Sequence, residues 1–176
     1  MDSVDPVRRS AIMRSVRQRN TGPEMALRQA LHALGLRYRL HAKELPGRPD
    51  IVFRPKKACV FVHGCFWHRH GCWKTTTPKS NADFWNDKFR ANVVRDAKAV
   101  ETLVAAGWRV VTIWECGLTG KADPSACAEY VARWLAGEEK VGEYPPPLPK
   151  GAGQGRSVTV DTRTPGGRDA EGDPRG

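Results

Sequence analysis

Leu27, Leu31 and Leu34 recur at three- and four-residue intervals, the spacing that lines one face of a helix. Thr21-Gly22-Pro23-Glu24 supplies a capping box at its start, and Gly35 ends it. Leu36, Tyr38 and Leu40 then alternate with arginines, which predicts a half-buried strand. Two short apolar runs follow, over 51–53 and 59–62, separated by the turn residues Arg54-Pro55-Lys56-Lys57; they predict a hairpin. A long helix is predicted over 80–106 with Gly107 as its stop. A buried strand is predicted over 108–114, and a last helix from Asp123-Pro124 to Leu135, ended by Gly137. Asp5-Pro6 opens a further basic helix or arm reaching Arg19. The order helix, strand, strand, strand, helix, strand, helix predicts an α/β (α+β) fold: a small mixed sheet flanked by helices.

Composition divides the chain into a basic arm over 1–20, one ordinary domain over 21–140 and a tail over 141–176. Pro145-Pro146-Pro147 and a Gly-, Arg- and Asp-rich segment without periodicity mark the tail, which is expected to lack packed structure. The net charge is +10, and residues 150–176 contribute only +1 of it. A basic fold favours a polyanionic partner, nucleic acid foremost. No apolar run approaches the length of a membrane span, and the first twenty residues carry five arginines and no apolar signal core. A cytoplasmic protein without a membrane partner is expected. The five cysteines are odd in number, which argues against a closed disulfide framework and for metal binding.

The densest chemistry lies between His63 and Trp73. Cys65, His70 and Cys72 stand within eight residues, and Cys116 follows a predicted strand. Four nitrogen and sulfur ligands describe a closed, structural zinc site. His63 and His68 share the loop, and spacing alone does not rank them against His70 as ligands; a histidine outside the zinc set is free for chemistry. Cys59 and Cys127 sit in apolar strand and helix patterns and are expected in the core, as are Trp108, Trp114 and Trp134.

Asp50 opens the first hairpin strand opposite the end of its partner. There its carboxylate and a backbone carbonyl can offer Mg²⁺ the hard oxygens it needs. The pattern resembles the nuclease fold known for a Pro-Asp and acid-x-lysine motif, that of restriction endonucleases, but Phe61 and His63 occupy the acid and lysine positions. Glu24 is the capping-box acid or lies near the metal waters. Phe66 and Trp67 on the cysteine–histidine loop, and Trp85 at the start of the long helix, are expected as exposed, rigid aromatics suited to stacking on bases.

Leu45-Pro-Gly-Arg-Pro-Asp50, Val62-His-Gly-Cys-Phe-Trp-His68 with His70 and Cys72, Phe84-Trp85, Asn92-Val-Val-Arg-Asp96, Gly107-Trp-Arg-Val110 and Trp114-Glu-Cys116 appear in this order. From about Val7 to Gly137 the chain thereby resembles the very short patch repair endonucleases of bacteria. The resemblance implies a Mg²⁺-dependent enzyme that nicks double-stranded DNA 5′ to the thymine of a T·G mismatch left by deamination of 5-methylcytosine. It implies that Asp50 bridges two Mg²⁺ ions, with the main-chain carbonyl of Val62 as a further ligand. His68 becomes the general base, and His63 and Glu24 support the metal waters and phosphate. Phe66, Trp67 and Trp85 would wedge beside the mismatch from the major groove, and Met13 would enter from the other side. It further implies a nucleoid-associated monomer and leaves contact with mismatch-repair proteins open. Valine at 62 departs from the threonine of well-known members, but a carbonyl ligand tolerates that change. A restriction-type or non-specific nuclease of the same fold, and a zinc-stabilised DNA-binding module without catalysis, are the alternatives.

Overall fold

The structure, a computed structural model, describes residues 19–40 and 42–146. The arm with Met13 and most of the tail lie outside the described residues. Helix α1, Gly22–Ala33, starts at Thr21, whose Oγ1 accepts from the Glu24 N–H, as the capping box requires. Strand β1, Arg39–Leu40, is only two residues long and exposed. The expected strand from Leu36 is shorter because it forms one edge of the sheet: Leu36 and Tyr38 pack on the core from the connecting segment.

β2, Ile51–Phe53, and β3, Ala58–His63, form the expected antiparallel hairpin, with Val52 opposite Cys59. A one-turn helix α2, Cys65–His68, leaves the end of β3 directly. The long helix α3 runs Ala82–Ala105; it begins two residues later than the periodicity suggests because Asn81 takes a left-handed conformation at φ 55°. β4, Arg109–Trp114, lies parallel to β3, with His63 opposite Trp114, so the C-terminal ends of both strands open at one end of the sheet. Helix α4, Pro124–Ala136, is capped by Asp123 and ended by Gly137.

The tail boundary drawn at residue 141 is corrected. Val141–Tyr144 forms β5, parallel to β4, completing the sheet order β1-β2-β3-β4-β5. Val-Gly-Glu-Tyr has no apolar alternation to announce a strand. Its pairing rests on backbone hydrogen bonds and on Gly142, where a Cβ would lie 2.8 Å from Nε1 of Trp134.

Side chains alternate across the sheet. Ile51, Phe53, Val60, Val111 and Ile113 face α1 and α4, meeting Leu27, Leu31, Val131 and Trp134. Val52, Cys59, Phe61 and Val110 face the other way, onto Leu103 of α3. Cys59 and Cys127 are fully buried, as expected of core residues, and burial pushes both thiols up to about 12. Among the described residues, no helix is long and apolar enough to cross a membrane.

The turn that delivers Asp50 to the sheet is tight. Gly47 has φ 70°, and a Cβ there would sit 2.8 Å from Cβ of Ala99 and 3.0 Å from Cζ of Phe61. Gly47→Ala is therefore expected to cost about 2–4 kcal/mol, from left-handed strain plus overpacking. The urea midpoint of unfolding reads it directly; an unchanged midpoint would show that the turn does not rest on α3.

Candidate active site and metal centre

Asp50 stands just before β2, where its N–H donates to the Val60 carbonyl at 3.0 Å. Its Oδ2 accepts from the Val62 N–H at 2.8 Å, so the carboxylate is pinned across the end of β3. Burial raises its pKa to about 6; the Val62 N–H opposes that, the negative charge of Glu24 adds to it, and Arg28 and His68 oppose it. Glu24 is 3% exposed and is held by Arg28 Nη2 at 2.9 Å, by the Asn20 N–H at 3.0 Å and by Thr21 Oγ1 at 3.1 Å. It is a capping acid and an acid near Asp50 at once. Two carboxylates that repel each other inside a protein suit a divalent cation, which would reverse the sign of the local field. Asp50 keeps Oδ1 for such an ion, and oxygen is the donor Mg²⁺ prefers.

His63 and His68 come together at the same end of the sheet. Their rings are stacked, with centroids 4.0 Å apart and planes 11° from parallel. Burial and then the charge of His68 drive the His63 pKa down to about 3, with Asp96 opposing and Arg95 adding, so His63 is neutral at physiological pH. His68 Nδ1 lies 2.5 Å from Oδ2 of Asp96. Burial works against the Asp96 carboxylate, yet the His68 hydrogen bond, the neighbouring histidines and Arg95 outweigh it and hold its pKa below the ordinary value. Polar atoms of His63, His68 and Asp96 lie within 4.8 Å of one another. Stacked imidazoles, however, direct their in-plane lone pairs alongside each other rather than toward one point. His68 is accordingly an imidazole oriented through Nδ1 by the Asp96 carboxylate, with Nε2 left free.

Asp96 was not singled out for a role by sequence, nor was Asn92, one helical turn earlier on α3. Asn92 Nδ2 donates to the Trp67 carbonyl at 3.1 Å, so the two residues, four apart on one helix face, grip adjacent points of the α2 loop. Their i, i+4 spacing was the available signal; which face of α3 met the loop was not.

The four expected zinc ligands do converge. Cys65, His70, Cys72 and Cys116 place their ligand atoms within 4.8 Å of one another. Nδ1 of His70 is 3.8 Å from the Cys65 sulfur and 3.4 Å from that of Cys116. Tetrahedral zinc, with Zn–S of about 2.3 Å and Zn–N of about 2.1 Å, sets that separation near 3.6 Å. The donors therefore fit a zinc ion. Nε2 of His70 faces the Pro145 carbonyl at 3.0 Å, and the ring stacks on Trp114 with centroids 4.4 Å apart. Such an outer partner would fix Nδ1 as the nitrogen offered to a metal. Geometry thus separates the three loop histidines: His70 joins the cysteines, and His63 and His68 do not.

The aromatics stand differently from the expectation of exposed rings. Trp85 is only 7% exposed, packed against Phe66, Trp67, Phe84 and Phe89 with centroid distances of 5.5 to 6.1 Å. Phe66 and Trp67 are half-buried and meet edge to face at 5.0 Å. The guanidinium of Arg69 sits 4.4 Å over Phe89 and donates to the Thr76 carbonyl at 2.8 Å, closing the cluster from below.

An acid placed to hold a hard cation, beside an imidazole whose free nitrogen can take a proton from water, is equipped to break phosphodiester bonds, and the fold around it is that of a nuclease. Sequence comparison identifies which kind. Residues 1–74 match the family model for the DNA mismatch endonuclease Vsr. The chain is 50% identical over 118 residues to the type II nicking enzyme V.XorIIP of Xanthomonas oryzae pv. oryzae, spanning 67% of this chain and 87% of that protein. It is 39% identical over 139 residues to the DNA mismatch endonuclease Vsr of Escherichia coli, spanning 78% and 89%. The type II nicking enzyme V.NmeAIP of Neisseria meningitidis is 44% identical over 115 residues, spanning 65% and 82%. The chain belongs to the Vsr DNA mismatch endonuclease family and is a DNA endonuclease.

Proposed function

We propose that this endonuclease nicks duplex DNA 5′ to the thymine of a T·G mismatch arising from deaminated 5-methylcytosine, and so begins very short patch repair. The observation that carries the reading is the meeting, at one end of the sheet, of Asp50, the His68–Asp96 pair and the Phe66–Trp67–Trp85 cluster. The Escherichia coli relative named a mismatch endonuclease supports a mismatched duplex as the substrate, and the relatives named nicking enzymes support a single-strand break.

Asp50 and the Val62 carbonyl would hold Mg²⁺, which supplies charge stabilisation for the attacking and leaving oxygens of an in-line displacement. Cys65, His70, Cys72 and Cys116 would hold a structural zinc ion that keeps the loop in register. With Nδ1 bonded to Asp96, His68 takes the proton of the attacking water on Nε2. Neutral His63 backs the His68 ring by stacking, and Glu24 would offer its carboxylate to waters on the bound Mg²⁺. Phe66 and Trp67, with Trp85, enter the duplex beside the mismatch, which requires Phe66 and Trp85 to part from Phe89. A mismatched step is cheaper to unstack than a paired one, so entry itself selects the lesion. Met13 of the basic arm contacts the opposite groove.

Asp96 is a positioning residue in this scheme. Asp96→Asn keeps a hydrogen-bond acceptor but loses the charge, and is expected to lower the single-turnover nicking rate roughly 10–100-fold, the usual effect of losing an outer partner. The affinity for T·G duplex should stay at the parental value. Equal losses of rate and affinity would instead mean that Asp96 only maintains the loop. The activity itself is tested with duplexes labelled on either strand: Mg²⁺ should produce one break, 5′ to the mismatched thymine, with the guanine strand intact. Breaks in both strands would identify a restriction-type nuclease, and binding without cutting a non-catalytic module.

A further inference from the structure

Among the described tryptophans, five are buried or half-buried and one is not: Trp73 is 67% exposed. It follows Cys72, and its backbone is fixed on both sides. The Thr75 N–H donates to the Cys72 carbonyl at 2.9 Å, and Thr75 Oγ1 accepts from the Gly71 N–H at 2.9 Å and reaches the Cys65 carbonyl at 3.4 Å. Lys74, next in sequence, donates through Nζ to Glu115 Oε1 at 2.8 Å and Thr119 Oγ1 at 2.5 Å. Glu115 in turn accepts from the Cys65 N–H at 3.3 Å. The turn is thus stapled to the first residues past β3 and β4, at the same end of the sheet as Asp50 and His68.

A large apolar ring held out in water on a rigid turn is a prepared contact, because little conformational freedom remains to be lost when something covers it. Its surroundings suit a polyanion: the Lys74 ammonium lies 5.4 Å from the ring centre, exposed Lys79 is on the same loop, and exposed Lys121 lies two residues beyond Thr119. We propose that Trp73 is a further DNA-binding residue, packing its ring on a nucleotide that flanks the mismatch, outside the Phe66–Trp67–Trp85 wedge. The proposal rests on the reading of this end of the sheet as the DNA-nicking site. Trp73 makes no contribution to the chemical step. It lengthens the footprint, and because every base and sugar presents an apolar face, it does so without preference for sequence.

The test uses the full-length zinc-loaded protein with Trp73→Ala and Trp73→Phe. Trp73→Ala is expected to weaken binding to T·G and matched duplexes alike by roughly tenfold, in the range found when an aromatic stacking platform is removed. Trp73→Phe should restore most of it. Single-turnover nicking at saturating protein, zinc content and melting temperature should match the parent. In a series of T·G duplexes shortened from one end at a time, the tenfold difference between parent and Trp73→Ala should vanish once the contacted nucleotide is gone. If parental protein nicks T·G duplex but Trp73→Ala binds every duplex equally well, the Trp73 assignment is overturned while the nicking site stands. A lowered melting temperature with unchanged affinity would overturn it too, giving Trp73 the role of a cover over the Lys74–Glu115 pair. If the parental protein neither binds nor nicks, the underlying site reading has failed instead.

Discussion

Asp50→Asn is expected to bring nicking of a T·G duplex down to background, while the protein folds, keeps its zinc and binds the mismatch at least as tightly as the parent. Asparagine retains an oxygen to accept the Val62 N–H, so the geometry at the end of β3 survives. What disappears is the negative charge that would hold Mg²⁺, and with it the repulsion from Glu24 and from the DNA phosphates. Stability should move the opposite way to activity. The Asp50 pKa is raised from 3.8 to about 6, so the folded protein binds a proton there more tightly than the unfolded chain does. Stability linked to this group is therefore fully present below the unfolded value and is lost as pH rises through about 6. Removing the charge should restore on the order of 2 kcal/mol at neutral pH in Mg²⁺-free buffer and little at pH 4. Urea denaturation of both zinc-loaded proteins in Mg²⁺-free buffer at about pH 4 and about pH 7.5 measures this. If Asp50 were merely a strand cap, Asp50→Asn would be neutral or destabilising at both pH values and would still nick.

Cys116→Ser is expected to have the largest effect on folding. Its sulfur comes from beyond β4, and the other three donors come from the α2 loop, so this one ligand joins the loop to the sheet. Structural zinc contributes about 10–16 kcal/mol of apparent binding free energy in small zinc-dependent folds, and most of that is folding free energy. Losing a quarter of the coordination sphere should lower the melting temperature by well over ten degrees, given that about 1 kcal/mol shifts it by roughly 2–8 °C. Zinc per chain should fall below stoichiometric, and the protein should become poorly soluble. Elemental analysis alongside calorimetry settles it; a parent devoid of zinc, or a variant with full zinc and parental melting, contradicts the metal centre.

Much of this architecture was legible because its signals are local. Helix α1 announces itself through Thr21, Glu24 and the leucine spacing, and the hairpin through two β-rich runs about a turn. The four metal donors could be paired with one another because cysteine and histidine at such spacing have few other uses. The three histidines of the loop were not separable, because their assignment depends on ring direction: His70 turns its Nδ1 to the sulfurs and Nε2 to Pro145, and His68 turns to Asp96. Asp96 and Asn92 were in view as a motif but carried no role, since only packing determines that α3 lies against the loop. β5 was missed for a related reason. A parallel edge strand of mixed polarity is held by its neighbour's backbone rather than by its own pattern, and Val141–Tyr144 offers only Gly142 as a hint. Trp85 was expected in the open and is covered by its own aromatic neighbours.

Mismatch discrimination by a nicking enzyme is tested most directly by the single-turnover rate on T·G against T·A duplex of identical flanking sequence. With protein in excess and Mg²⁺ present, the T·G duplex should be nicked on the thymine strand at least roughly a hundredfold faster, the discrimination expected when binding energy drives a wedge into one weakened step. Equal rates on the two duplexes would contradict it.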